Sequence, residues 1–410
     1  MEPSARAPAA GPDTSGRTLL AAVAVGGHAI KHLMNGAFFV LLPELKAGLG
    51  LSNAGIGTLS AFRNIAGGLV NLPAGFIADR FQRQGAMILG LSIILTGLFT
   101  AAVGLAQSLQ SAIVASVVVG IAISFWHPTA IAALARRFPD RRGFAISLHG
   151  TGGSLGEALG PLLVAGLVVL SIGWRQIFQT IGAPGIVGGL VTWLLISRVL
   201  GGGSASTSVS VYLDSMRTLL KSRRLLSILV MVVGFGATQS AIFTFLPIYF
   251  QETLGYSAFR TKIYMAIPQA VGVGSSPVMG LISDRYGRKP VLLVGLLALG
   301  AAVLGIATAP PGAPLLLAVV GTGVFLFPLM SILLAGAADI AGESVQATVV
   351  SLEFGVAILF SGISPLVSGL LADAYSVNTV FLYGGGVAIA TGLFLAPQRW
   401  PRIRGGSGGR

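Results

Sequence analysis

Cysteine is absent from the sequence, so disulfides, thiol catalysis and thiolate metal sites are excluded and the redox compartment is left open. Charge is scarce. Only 10% of the 410 residues are Asp, Glu, Lys or Arg, against 54% hydrophobic, and a soluble domain carries about 25% charge. Histidine occurs four times, with only His28 and His32 close along the chain, a poor basis for a metal site. There is no Walker lysine loop, which argues against ATP as an energy source, and no paired-histidine metalloprotease motif. "GGSLGEALG" (152–160) is rich in glycine, but no strand or βαβ unit surrounds it, so it is not a dinucleotide loop. No enzyme activity, cofactor or metal is expected.

Long apolar runs are what the sequence has in quantity. Twelve are long enough to cross a hydrocarbon core of about 30 Å as helices: 18–43, 54–78, 84–106, 109–135, 143–170, 176–198, 223–250, 259–283, 290–309, 313–338, 346–371 and 377–397. Barrel strands are shorter and alternate, so the length favours helices. The first 17 residues, rich in Pro, Ala and Gly, read as a disordered tail. The apolar run after them is too long for a signal-peptide core and is kept as a span. Residues 399–410 form a second tail, ending in "RGGSGGR".

The net charge of +13 could suggest nucleic acid, but its distribution argues otherwise. With both termini placed in the cytoplasm, 20 of the 26 Lys and Arg fall on the cytoplasmic side. Only Lys46, Arg175, Arg260 and Lys262 fall outside, and Lys31 and Arg63 lie within spans. Such a bias sets orientation in a bilayer. A multi-pass protein of the inner (plasma) membrane, with both termini cytoplasmic and no nucleic-acid partner, is expected.

The chain repeats itself. "LPAGFIADRFQRQ" (72–84) parallels "PVMGLISDRYGRK" (277–289): Gly75, Asp79, Arg80 and Arg83 match Gly280, Asp284, Arg285 and Arg288 at an offset of 205. "SLHGTGGSLGEALGPLLVAG" (147–166) parallels "SLEFGVAILFSGISPLVSG" (351–369) at 204. "FFVLLP" (38–43) parallels "IFTFLP" (242–247), and "FWHP" (125–128) parallels "FLFP" (325–328). The plan is one six-span bundle over 18–198, a basic linker over 199–222, and a related six-span bundle over 223–398.

The doubled G-x-x-x-D-R-x-x-R, between spans two and three and again between eight and nine, resembles the loop signature of the major facilitator superfamily. Gln82 stands in the first copy where Gly287 stands in the second. The resemblance covers roughly residues 18–398 and implies an all-α membrane protein of two pseudo-symmetric six-helix bundles. Within that superfamily, residues 125–163 resemble the fosmidomycin-resistance-like exporters. Two similar bundles can rock about a midplane site, opening it to each side in turn. Asp79, Arg80, Arg83, Asp284, Arg285 and Arg288 would lie at cytoplasmic helix ends, either as a charge latch on the inner gate or as plain positive-inside anchors. Glu353, about eight residues in from the cytoplasm, would join that gate.

Ionisable residues inside spans are costly and usually face a cavity. His28, Lys31, His32 and Asn35 fall at i, i+3, i+4 and i+7, one stripe of one helix, which can wall a wet cleft. Arg63, with Asn64 beside it, offers a planar fork for a carboxylate or phosphonate, or an internal ion pair with Glu157. Glu157, near the middle of span five, is the first choice for proton coupling, with a static pairing to Lys31 or Arg63 as the alternative. "GEALGP" (156–161) partly resembles the glycine–proline motif of proton antiporters, although Val164 and Ala165 stand where that motif continues with glycines. His149, two turns before Glu157, and His127 are further proton-coupling candidates, and His127 could equally be a satisfied core histidine. The second half offers Gln239, Phe243, Gln269 and Phe327 as uncharged binding surface. Two cations and several histidines favour an anionic or zwitterionic small molecule. The expected protein is a monomeric secondary transporter working by alternating access. Proton-driven efflux by antiport is preferred over nutrient import or a non-transporting sensor.

Overall fold

The computed structural model describes residues 14–138, 141–200, 208–341, 346–398 and 400, and contains no strand among them. Residues 1–13 of the expected N-terminal tail, residues 201–207 of the linker and the terminal "RGGSGGR" lie outside the described residues. Sixteen α-helices follow in order, among the described residues: α1 Thr14–Val40, α2 Leu42–Leu49, α3 Asn53–Arg80, α4 Gly85–Val103, α5 Leu109–Ser124, α6 Trp126–Arg137, α7 Arg142–Val169, α8 Trp174–Ser197, α9 Val209–Leu220, α10 Arg223–Ile248, α11 Ala258–Tyr286, α12 Arg288–Thr308, α13 Ala313–Ala341, α14 Gln346–Ser361, α15 Ser364–Ala374 and α16 Asn378–Leu395.

Ten of the helical segments are long and apolar enough to cross a membrane, among the described residues. Helices α1 and α3 are of similar length, 27 and 28 residues, but carry the polar stripes. Large apolar side chains face outward, such as Leu69, Leu281 and Leu317, each more than half exposed. Water would make that surface unfavourable; hydrocarbon makes it the natural exterior.

Two spans read as continuous are broken. Proline has no N–H to give to the carbonyl four residues back. Pro128 therefore interrupts the fourth span, which divides into α5 and α6 at Phe125. Pro365 does the same to the eleventh, which divides into α14 and α15 at Gly362–Ile363. The last four residues of the expected N-terminal tail belong to α1, and the expected Gly/Ser linker contains a helix, α9.

Packing within each half depends on glycine at the crossings. A Cβ on Gly156 of α7 would lie 2.0 Å from the Ala29 carbonyl of α1, and one on Gly97 of α4 would lie 2.5 Å from the Gly182 carbonyl of α8. Only residues without side chains allow backbones that near. Between the halves, α3 lies against α14 and α15, and α7 lies against α11.

Polar contacts join the halves at the end opposite the basic loops. Lys46 donates to Glu252 at 2.6 Å. Gln251 donates to Glu44 at 2.8 Å, and Lys262 pairs with Glu44 as well. Asp373 of α15 accepts from the backbone N–H groups of Asn53 and Ala54, at 3.0 and 2.8 Å. The first turn of α3 is thus capped by an acid from the other half, where orphan N–H groups and the helix dipole favour negative charge. Lys262, placed on the outer side by its sequence position, is 0% exposed within α11.

Candidate functional site

A cavity of about 390 Å³ lies between the halves. From the first half it is lined by His28, Lys31, His32, Asn35, Arg63, Asn64, His127 and Glu157, and from the second by Gln239, Phe243 and Phe327. Eleven of the thirteen side chains singled out for binding or proton coupling are therefore brought to one space. Gln269 and His149 are not on its wall; both are buried behind it.

The polar stripe of α1 organises the first-half wall. Arg63 of α3 donates to the Asn35 side-chain oxygen Oδ1 at 2.7 Å, and the Asn35 side-chain nitrogen donates to Glu157 at 3.1 Å. The expected direct pairing of Arg63 with Glu157 is therefore relayed through Asn35. His32 donates through Nδ1 to the other Glu157 oxygen at 2.7 Å. Lys31 donates to His127 Nε2 at 2.7 Å, which leaves the His127 proton on Nδ1. Glu157 is the one acid on the wall among the described residues, beside two cations. The Arg63 guanidinium also stands over Phe38 at 4.5 Å and Phe39 at 5.3 Å. Phe39 stacks on Phe243 of the other half at 5.6 Å, and Phe243 leans on Phe327 at 6.2 Å. One side of the cavity is thus charged and the other aromatic.

All four histidines meet here, although the sequence separates them. His28 stacks on His149 at 3.9 Å between ring centroids, touches His32 edge-on at 4.5 Å, and lies 4.9 Å from His127. Its Nδ1 donates to the His149 backbone carbonyl at 2.7 Å. Gly153 leaves the space for that ring, since a Cβ there would sit 2.6 Å from it. Ring nitrogens of His28, His127 and His149 come within 4.8 Å of one another. Two rings stacked face to face cannot both aim in-plane lone pairs at one ion, and Lys31 already occupies His127, so the cluster as arranged is not a metal centre.

The loop motifs lie at the basic end. Asp79 contacts Arg136 at 3.9 Å, a residue the sequence had counted only for orientation. Burial pushes the Asp79 carboxyl upward, and Arg136 opposes that shift. Arg288 pairs with Asp284, with Asp339 at 3.2 Å and with Ser283 at 2.9 Å, while Arg285 lies beside the Tyr286 ring. These pairs stay within one half, and Arg80 and Arg83 have no ion pair among the described residues. Glu353 takes no part in that network: it is fully buried, and neither oxygen has a partner among the described residues.

Several wall residues escaped the sequence reading. Asn71 continues the Asn64–Gly67 stripe of α3 by one more turn, a signal that was available. Ser154, Ser240, Ser331 and Phe354 carry no sequence pattern that separates them from ordinary helix packing.

Two helical bundles around a shared polar cavity form the architecture of a membrane transporter. The Major Facilitator Superfamily model matches residues 24–352 and 274–408, and the chain belongs to that family of transporters, not to an enzyme class. It is 24% identical over 388 residues to the fosmidomycin resistance protein of Escherichia coli K12, covering 93% of each chain. It is 23% identical over 390 residues to the "Probable L-galactonate transporter" of the same organism, covering 89% of this chain and 85% of that one. Among solved structures, a D-xylose–proton symporter superposes with a TM-score of 0.77 at 15% identity, over 93% of this chain and 97% of that one, a likeness of fold.

Proposed function

We propose that the protein is a proton-coupled exporter of small organic anions, working by alternating access. The observation that carries this is the cavity wall itself: Lys31 and Arg63 are buried on one side with the single carboxylate Glu157, which His32 bonds directly and Arg63 reaches through Asn35, while Lys31 bonds to His127. A surplus of fixed cation in a cleft of about 390 Å³ suits an anionic ligand, and the aromatic side of Phe39, Phe243 and Phe327 suits its carbon part. L-galactonate, for which one relative is named, is a carboxylate, and fosmidomycin, resistance to which names another, is a phosphonate.

Glu157 is the proton-coupling group of this reading, with His32, His127 and His149 as relays. A proton reaching Glu157 weakens its hold on His32 and Asn35, and an anion on Lys31 and Arg63 would compete for the same cations. Through this linkage a proton on Glu157 favours anion binding, so the export direction rests instead on the likeness to the fosmidomycin resistance protein, and the sign of the pH gradient that drives accumulation separates antiport from symport. With the basic loops in the cytoplasm, the contacts of Lys46, Lys262 and Asp373 close the outer side. The loop pairs around Asp79 and Asp284 would form the inner gate.

The test is transport in proteoliposomes with fosmidomycin and L-galactonate as probes. An antiporter accumulates the probe in vesicles with an acidic lumen, and a symporter in vesicles with an alkaline one. Lys31→Ala and Arg63→Ala are each expected to weaken binding by about 10- to 100-fold, the value of a charge-assisted hydrogen bond of about 1.5–3 kcal/mol. Binding untouched by either change would remove the anion assignment. Glu157→Gln with full gradient-driven accumulation would remove the coupling assignment.

A further inference from the structure

Glu353 is the acid that the cavity mechanism leaves unused. It sits on α14 in the repeat position of His149, and like His149 it lies beyond the wall. Ala357 and Ser361, one and two turns further along the same stripe, line the cavity, and so does its neighbour Phe354. Glu353 itself is 0% exposed, and neither Oε1 nor Oε2 finds a hydrogen-bond partner among the described residues.

Several charged groups on the helices packed against α14 are engaged elsewhere. Arg63 bonds to Asn35, His127 to Lys31, Asp79 to Arg136, Asp339 to Arg288 and Asp214 to Arg217. No ion pair or hydrogen bond joins Arg80, Arg136, Arg137, Arg223 or Arg224 to Glu353. A carboxylate sealed from water with no donor would carry a desolvation cost of many kcal/mol; the neutral acid avoids most of it.

The surroundings tie this acid to the interface between the halves. A Cβ on Gly355 would lie 2.5 Å from the Leu72 side chain of α3, and one on Gly68 of α3 would lie 2.4 Å from the Leu359 backbone. Phe354 stacks on His127 at 5.2 Å. Glu353 is therefore carried by a helix that packs on the first half through α3 and α6.

We propose that Glu353 is a second proton-binding site of the transport cycle, one whose protonation is required for the two halves to close over α14. When the contacts part, the wetted acid releases its proton to water and becomes a carboxylate. When they re-form, the carboxylate takes one proton from water and is buried as a neutral acid. The inference deepens the proton-coupled reading above by adding a carboxyl distinct from Glu157.

Infrared difference spectroscopy of the full-length protein tests it without any substrate. At neutral pH the wild type is expected to show the carbonyl stretch of a buried protonated carboxyl. Glu353→Gln should lose that band and Glu157→Gln should keep it. The transport experiment with the Glu157 variants stands apart, so failure of that reading and failure of this one are separable. A band that survives in Glu353→Gln overturns the proposal. Gln and Met both mimic a neutral group of similar size, so Glu353→Gln and Glu353→Met should fold. If neither yields folded protein, the charge is needed in the sealed state, and the proposal is overturned as well.

Discussion

At the scale of single residues, the cavity stands or falls on one carboxylate. Glu157 is the one acid lining a space that also holds Lys31 and Arg63, among the described residues. Removing one partner of a buried charged set costs about 3–5 kcal/mol, because the remaining charges stay desolvated. Glu157→Ala is therefore expected to lower thermal stability in detergent by that order, and Lys31→Met in the same chain should recover part of the loss. A Glu157→Ala protein as stable as the wild type would mean that the two cations already reach bulk water. The α1 stripe was legible because helical spacing alone aligns His28, Lys31, His32 and Asn35. The four-histidine cluster was not, because residues 28, 127 and 149 meet only through the packing of α1, α6 and α7. The burial of Lys262 was hidden for a related reason: only the partner half reveals that Glu44 covers it. Gln269 stands at the repeat position of Asn64, but the halves do not present equivalent faces to the cavity.

At the scale of helices, the controlling quantity is the distance between backbones. Gly156 lets α7 approach α1 until a Cβ would clash with the Ala29 carbonyl at 2.0 Å, whereas Gly166, ten residues on in the same helix, has nothing within 4 Å. Overpacking costs about 1–3 kcal/mol, while replacing an uncrowded helical glycine by alanine gains up to about 1 kcal/mol. Gly156→Ala should melt earlier than the wild type, and Gly166→Ala at the same temperature or later. Because Glu157 follows Gly156 directly, the first variant should also weaken probe binding, whereas the second should not. Equal melting temperatures for the pair would show that α1 and α7 can separate freely. The spans themselves were readable from hydropathy to within a few residues. Their breaks at Phe125 and Gly362 follow from Pro128 and Pro365, but tolerated prolines such as Pro73 and Pro161 lie inside unbroken helices, so proline alone did not mark which spans divide.

At the scale of the whole molecule, the end opposite the basic loops is held shut by charges that cross between the halves. Lys262 is fully buried against Glu44, and Lys46 reaches Glu252 at 2.6 Å. Glu44→Gln leaves the Lys262 ammonium sealed with only a neutral acceptor, a penalty of about 3–5 kcal/mol that applies only while that end is closed. Every 1.4 kcal/mol is a tenfold change in the ratio of two states, so the penalty is large enough to tip a balanced transporter open on this side. Adding Lys262→Met removes the stranded charge, and apolar replacement of a buried pair is often neutral, so the double variant should close again. The absence of cysteine makes the measurement direct, because the engineered pair Ala47→Cys and Thr253→Cys would be the only labelled sites. Spin-label distances between them should lengthen in Glu44→Gln and return toward the parent value in Glu44→Gln/Lys262→Met. A distance that stays short in the single variant would mean that Asp373 and the α3–α15 backbone contacts hold the end closed without the buried pair. A distance that lengthens equally in both variants would mean that the attraction itself, and not the stranded charge, sets the equilibrium.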